Sequence, residues 1–167
     1  YQTKFTLKEE PLVSILIPNK DHTDDLDVCL NSFFERADYQ NYEFIIIENN
    51  SVLPETFAYY EKIEKEHDNV KVVYWEAGFN YSAINNFGFK FAKGDYIMLL
   101  NNDVELITPD IFQSMLGFCM RPEVGIVGAK LLYNDHTVQH AGVLVGAGGL
   151  ADHVFKGIHE DDPGYMG

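Results

Sequence analysis

The sequence predicts an α/β domain built on a mainly parallel sheet, and three observations lead there. Short apolar runs rich in β-branched residues alternate with longer amphipathic stretches. Those stretches run to about a dozen residues, the length of the crossover helix that joins two parallel strands. The runs also give way to polar, acceptor-rich clusters: Pro18-Asn19-Lys20-Asp21, Glu48-Asn49-Asn50, Gly78-Phe79-Asn80 and Asn101-Asn102-Asp103.

Val13 to Ile17 is a β-branched run that Pro18 should stop, so it reads as a buried strand. Asp24 to Arg36 places Leu26, Leu30, Phe33 and Phe34 at helical spacing, with Thr23 or Asp24 as N-cap. Glu43 to Ile47 is the second strand, closed by the turn cluster that starts at Glu48. Pro54 to His67 is a helix with proline in its first turn, and Val70 to Tyr74 is a third strand. Tyr81 to Ala92 is a helix ended by Lys93-Gly94, and Tyr96 to Leu100 is a strand running into Asn101-Asn102-Asp103. Pro109 to Met120 is the last helix. A fifth strand is expected to begin at Gly125-Ile126-Val127-Gly128, and a sixth over Val138 to Val145. Beyond Gly146 periodicity is lost, and a loop is expected. No repeat or low-complexity segment interrupts the pattern.

The length of 167 residues suits one domain. Twelve basic against 26 acidic residues leave a net charge of −14, which repels phosphate backbones and anionic membranes. Nucleic acid is therefore not an expected partner, and a nucleotide would need a bridging cation. Cys29 and Cys119 form no CxxC, so neither a disulfide framework nor a zinc ribbon is indicated. No apolar run approaches the roughly 18 residues of a membrane span. The start, Tyr1-Gln2-Thr3-Lys4-Phe5, has neither an initiating Met nor a signal-peptide core. The chain thus reads as a soluble piece, from a reducing compartment, of something longer.

In open parallel sheets ligands sit beyond the carboxyl ends of the strands, so the four polar clusters are the candidate site. A carboxylate at Asp103 suits Mg²⁺ or Mn²⁺, which takes one or two protein carboxylates and completes its shell with substrate phosphates. The same residues also suit an Asx-turn at a strand end. Glu48 and Asp21 have the chemistry to accept a hydrogen bond from a base, or to be solvated loop acids.

Other patterns carry less. Gly146-Ala147-Gly148-Gly149-Leu150-Ala151 has the outline of a dinucleotide fingerprint, but no second strand or ribose-binding acid follows it. His136 and His140 have H-x-x-x-H spacing without the Glu of a metalloprotease, since Thr137 stands there. His140 is the histidine best placed to touch a metal or phosphate. Glu160-Asp161-Asp162 reads as a solvated loop, and no Ser/His/Asp or Cys/His arrangement stands out.

Five motifs in register resemble one family. Val13-Ser14-Ile15-Leu16-Ile17-Pro18 is similar to the opening strand of family 2 glycosyltransferases, and Ile45-Ile46-Ile47-Glu48-Asn49-Asn50-Ser51 to their second. Phe79 to Asn86 and Lys93 to Asp103 resemble a subgroup in which L-N-N-D replaces D-x-D, and Val138-Gln139-His140-Ala141-Gly142 matches it too. The resemblance implies a GT-A fold, Rossmann-related and incomplete at its C-terminus. Residues 1–11 would be a linker, 12–145 the nucleotide-sugar-binding domain, and 146–167 the loop-rich start of an acceptor-side region. It implies transfer of a sugar, with inversion, from a UDP- or dTDP-type donor to a saccharide acceptor, in the cytoplasm or at the inner membrane face.

By position, Pro18, Asn19 and Asp21 would line the nucleoside pocket, with Glu48 against the base. Asn80, Asn85 and Asn86 would lie near the ribose or diphosphate, Asn101 would face the ribose, and Asp103 would bind the metal. Asn101 carries no charge, so this metal site would have one carboxylate. The family's catalytic base is expected beyond Gly167. Three alternatives are weaker. A sugar nucleotidyltransferase wants a Gly-rich basic loop where Pro18-Asn19-Lys20-Asp21-His22 stands. A receiver-type domain wants a phosphoacceptor Asp that Glu48-Asn49-Asn50 does not offer. A scaffold module that kept the fold and lost the chemistry is compatible with Asn101.

Overall fold

The computed structural model describes residues 5–146 and 149–162. The chain divides into two compact units, one ending at Ser114 and one starting at Met115. The first unit is a four-stranded parallel sheet: β1 (Val13–Asn19), β2 (Tyr42–Glu48), β3 (Val70–Tyr74) and β4 (Tyr96–Leu99), in the order β3-β2-β1-β4. The helices are α1 (Thr23–Arg36), α2 (Pro54–Glu66), α3 (Tyr81–Phe89) and α4 (Ile111–Cys119), the last running across the division between the units.

Strand alternation assigns the two faces of the sheet. Ile15, Ile17, Phe44 and Ile46 point one way, and Phe33 of α1 meets Phe44 edge-on with ring centroids 5.6 Å apart. Phe33, Tyr42 and Phe112 extend this aromatic cluster. Leu16, Ile45, Ile47 and Val73 point the other way and pack with Ile84 of α3. Both central strands are apolar on both faces because both faces are covered. Each fully buried Ile, Leu or Phe contributes about 1.5–3 kcal/mol through apolar burial. Close approach matters at Gly94, where a Cβ would lie 2.5 Å from the Leu12 carbonyl oxygen and 2.7 Å from the Ser14 nitrogen.

The four strands and four helices stand where the sequence predicts them, with shifted ends. Pro18 does not stop β1, which continues to Asn19. The hydrogen bonds Leu100 N–H to Leu16 O and Asn49 N–H to Asn19 O show that even-numbered residues of β1 face β4 and odd ones face β2. Pro18 therefore lacks its N–H on the β4 side, where pairing has already ended at Leu16–Leu99. Helix α1 starts at Thr23 with His22 as its cap and no side-chain capping bond, in place of a Thr23 or Asp24 cap. Helix α3 ends at Phe89, short of Ala92.

The second unit departs further. Gly125–Gly128 is not a strand, and Ile126 there is 91% exposed. Its apolar pattern is not enough, because among the described residues no strand pairs with it. The expected sixth strand is broken into β6 (Val138–His140) and β7 (Val143–Val145) by Gly142, whose φ of +127° ends the extended run. β6 pairs with β5 (Leu131–Leu132). β7 pairs antiparallel with β8 (Ala151–His153), where a loop was expected. Ala151 thus opens a strand, not the helix of a dinucleotide fingerprint; Ala147 and Gly148 of that pattern lie outside the described residues, as do 1–4 and 163–167.

Candidate functional site

The strand order reverses beside β1: the chain moves from β1 outward to β2 and β3, then returns to place β4 on the other flank. The ends of β1 and β4 therefore frame the switch point, where an open parallel sheet leaves a crevice. Asn19 closes β1, and Asn101-Asn102-Asp103 follows β4. The two segments touch, since the Asn102 amide donates to Asn19 Oδ1 at 2.7 Å.

Asn19 and Glu48 are paired in register, so both side chains project from the face covered by α1 and α2. Asn19 is 2% exposed and Glu48 3%. Tyr60 of α2 reaches between them, accepting from Asn19 Nδ2 at 2.8 Å and donating to Glu48 Oε2 at 2.9 Å. The Ser51 backbone N–H donates to Glu48 Oε1, and the Ser51 hydroxyl to Oε2. Three of the roughly four acceptor positions of this carboxylate are thus taken within the chain. Burial, with the Glu48 charge beside it, pushes the Tyr60 hydroxyl far above the ordinary phenol range.

Asp21 is also occupied. It sits in the left-handed region at φ 60°, which a short polar side chain tolerates. Its Oδ1 accepts from Val52 N–H at 2.9 Å, Leu53 N–H at 3.0 Å and the Thr56 hydroxyl at 3.2 Å, at the N-terminus of α2. Desolvation is the largest single influence and raises its pKa, but the bonds from Leu53, Val52 and Thr56 and the charge of Lys20 together outweigh it and hold Asp21 below the ordinary 3.8.

Asp103 differs from both. It is exposed, and among the described residues no group donates a hydrogen bond to its carboxylate. Asn101 is exposed beside it, its carbonyl oxygen 3.9 Å from the Cys29 thiol. One open carboxylate flanked by neutral amides fits a hard divalent cation that takes its remaining oxygens from a diphosphate and water. Among the described residues no group of three His, Cys, Asp or Glu forms a ready metal cage.

The other expected residues divide. Pro18 lies within β1, half-buried. Asn80 caps α3, accepting from Ala83 N–H at 3.0 Å. Asn85 is 6% exposed, and its amide donates to the Tyr81 carbonyl at 2.9 Å. Its Oδ1 has no partner among the described residues. Asn86 is exposed. His140 belongs to the second unit, where its Nδ1 lies 2.8 Å from His153 Nδ1. Sequence reasoning missed Tyr60 and Ser51; a tyrosine on an amphipathic helix and a serine in a turn carry no local signal of a shared carboxylate.

Comparison with known proteins fixes the family. The family model described as "Glycosyl transferase family 2" matches residues 14–144. The chain is 41% identical over 162 residues to the uncharacterized protein y4gI of Sinorhizobium fredii (strain NBRC 101917 / NGR234), covering 95% of this chain and 18% of that protein. It is 41% identical over 160 residues to the O-antigen biosynthesis protein RfbC of Myxococcus xanthus, covering 96% of this chain and 12% of that one. It therefore spans less than a fifth of the length of either relative. Among solved structures, the mannosyltransferase PcManGT from Pyrobaculum calidifontis, in complex with GDP-Man and Mn²⁺, matches with a TM-score of 0.64 at 16% identity, over 71% of this chain and 35% of that one. TarS 1-349 of S. aureus matches at 0.55 and 20% identity, over 65% and 32%. At such identities the likeness is one of fold, a GT-A-like parallel sheet flanked by helices. With its fold and well over half of its sequence matched, the chain belongs to glycosyl transferase family 2.

Proposed function

We propose that this chain carries the donor and metal site of an inverting glycosyltransferase, which moves a sugar from a nucleotide-diphosphate sugar to a saccharide acceptor. The observation that carries the reading is the open Asp103 carboxylate at the switch point between β1 and β4. Asp103 would hold Mg²⁺ or Mn²⁺, with Asn101 toward the ribose. When bound, the cation neutralises the leaving diphosphate. In a chain of net charge −14 a bound cation would supply a neutralisation that few side chains can. Asn86 and the Asn80 turn at the start of α3 would flank the ribose or diphosphate. Inversion requires one displacement at the anomeric carbon, with a base taking the acceptor hydroxyl's proton. None of the described carboxylates is assigned to that step.

The donor is proposed to be of UDP or dTDP type, and the product a polysaccharide, in line with the O-antigen relative. Among the described residues no helix is long and apolar enough to cross a membrane. The free thiols of Cys29 and Cys119 suit a reducing, cytoplasmic setting. The reading of residues 12–145 as the donor domain, after a linker and before an acceptor-side segment, belongs to the same proposal.

Calorimetric titration with UDP, dTDP and GDP, with and without Mn²⁺, tests this reading. Binding that Mn²⁺ strengthens, with that gain lost in Asp103→Ala, is expected. Binding of equal strength without metal removes Asp103 from its role, and no binding of any nucleotide favours the scaffold alternative.

A further inference from the structure

We infer that Tyr60 on α2 is a positioning residue for the donor site, acting through Asn19 and Asn102 to hold the segment that carries Asp103. The inference rests on the reading of Asp103 given above. Its basis is a row of hydrogen bonds that crosses the carboxyl ends of three strands, from Asn102 to Asn19 at 2.7 Å, to Tyr60 at 2.8 Å, to Glu48 at 2.9 Å.

Chemistry forces the direction of this row. An ionised carboxylate only accepts, so the single Tyr60 proton points to Glu48. The phenol oxygen must then accept from the Asn19 amide, which turns Asn19 Oδ1 toward Asn102 and makes Asn102 the donor. Each member donates toward the same buried charge, so each polarises the next. Tyr60, Asn19 and Glu48 are 1%, 2% and 3% exposed, which keeps water from the Asn19–Tyr60 and Tyr60–Glu48 links, while Asn102 is half-buried. The asparagine orientations have no freedom left.

The row ends one residue before Asp103. The far side of that segment has its own anchors: Arg36 pairs with Glu105 at 2.7 Å and donates to the Leu106 carbonyl, and Leu106 N–H donates to Ser32 Oγ at 2.9 Å. The near side is tied to β1 by Leu100 N–H to Leu16 O and by the Asn102 amide. A carboxylate that supplies one ligand to a cation gains from a fixed backbone, because a misplaced ligand weakens the metal and the diphosphate together.

Tyr60→Phe keeps the ring and deletes the hydroxyl. The expected result is about a tenfold loss of Mn²⁺-supported affinity for whichever of UDP, dTDP or GDP the protein binds, with metal-free affinity unchanged. The Asn102 side-chain amide signals should shift in the NMR spectrum of the ligand-free protein. Asn102→Ala should show the same loss, and the double variant no more than either single one. Glu48→Gln, which keeps the shape and removes the terminal charge, should reproduce the selective loss if Tyr60→Phe does not fold. Full additivity, unchanged Mn²⁺-supported binding, or equal loss with and without metal would overturn the inference. If Asp103→Ala leaves the Mn²⁺-supported affinity intact, the donor-site reading itself fails. If Asp103→Ala abolishes it while Tyr60→Phe does not alter it, only the role of Tyr60 is lost.

Discussion

The carboxylates at the ends of β1 and β2 and the one after β4 look alike in the sequence and do opposite work. Asp21 and Glu48 follow or close apolar strands, as Asp103 does, yet their oxygens are used inside the chain. Glu48 is the buried anion on which Ser51, Tyr60 and, through them, Asn19 and Asn102 converge. Asp21 secures the start of α2. Asp103 alone of the three is open. A charge drawn into its own scaffold shapes a site, and a charge left without donors is free to bind a ligand.

Four experiments would break or sharpen that contrast. The largest effect is expected from Glu48→Ala, which leaves the buried Tyr60 hydroxyl and the half-buried Ser51 N–H and hydroxyl without their acceptor. It should cost about 3–5 kcal/mol by urea unfolding, since orphaned buried donors carry their full desolvation penalty. Asp103→Ala should show the reverse profile: an unchanged urea midpoint and about a 100-fold loss of Mn²⁺-supported nucleotide binding, the upper end of what loss of even an outer-shell partner costs a metal site. A large drop in stability there would erase the distinction between the two acids.

Ser51→Ala removes one of three donors to Glu48 and the acceptor of the Asp21 N–H. The expected loss is about 1–2 kcal/mol, measured in the same unfolding series. The smallest effect belongs to Asp21→Asn and appears in pH dependence. The folded-state pKa of Asp21 is depressed below 3.8, so its stabilisation is present above that value and is lost as pH falls through the lowered one. Melting temperatures taken at pH 5, 4 and 3 should fall more steeply for the wild type than for Asp21→Asn.

The legible part of the fold is the first unit. β3 stands at the predicted Val70–Tyr74, and the other strands and helices differ by a few residues at their ends. The apolar runs of the central strands β1 and β2 are buried on both sides, so local pattern and tertiary role agree there. Legibility fails where pairing is decided at a distance. Gly125–Gly128 has a strand's composition and no partner strand among the described residues, while Ala151–His153 has a loop's composition and pairs with Val143–Val145. Of the site, the four polar strand ends and Asp103 were visible as types and spacings. The consumption of Glu48 was not, because its partner Tyr60 is 12 residues away on another element.

The order of strands and helices, the placement of polar clusters after strands, and the motifs of a family were written into the sequence by itself, because each depends on short-range periodicity and spacing. Which acid is buried and which is open was decided only by the tertiary structure. Register sets Asn19 beside Glu48, and the packing of α2 brings Tyr60 between them. The reversal of strand order then brings Asn102 back against β1. A carboxylate's role follows from the donors that reach it, and those donors come from parts of the chain that meet only on folding.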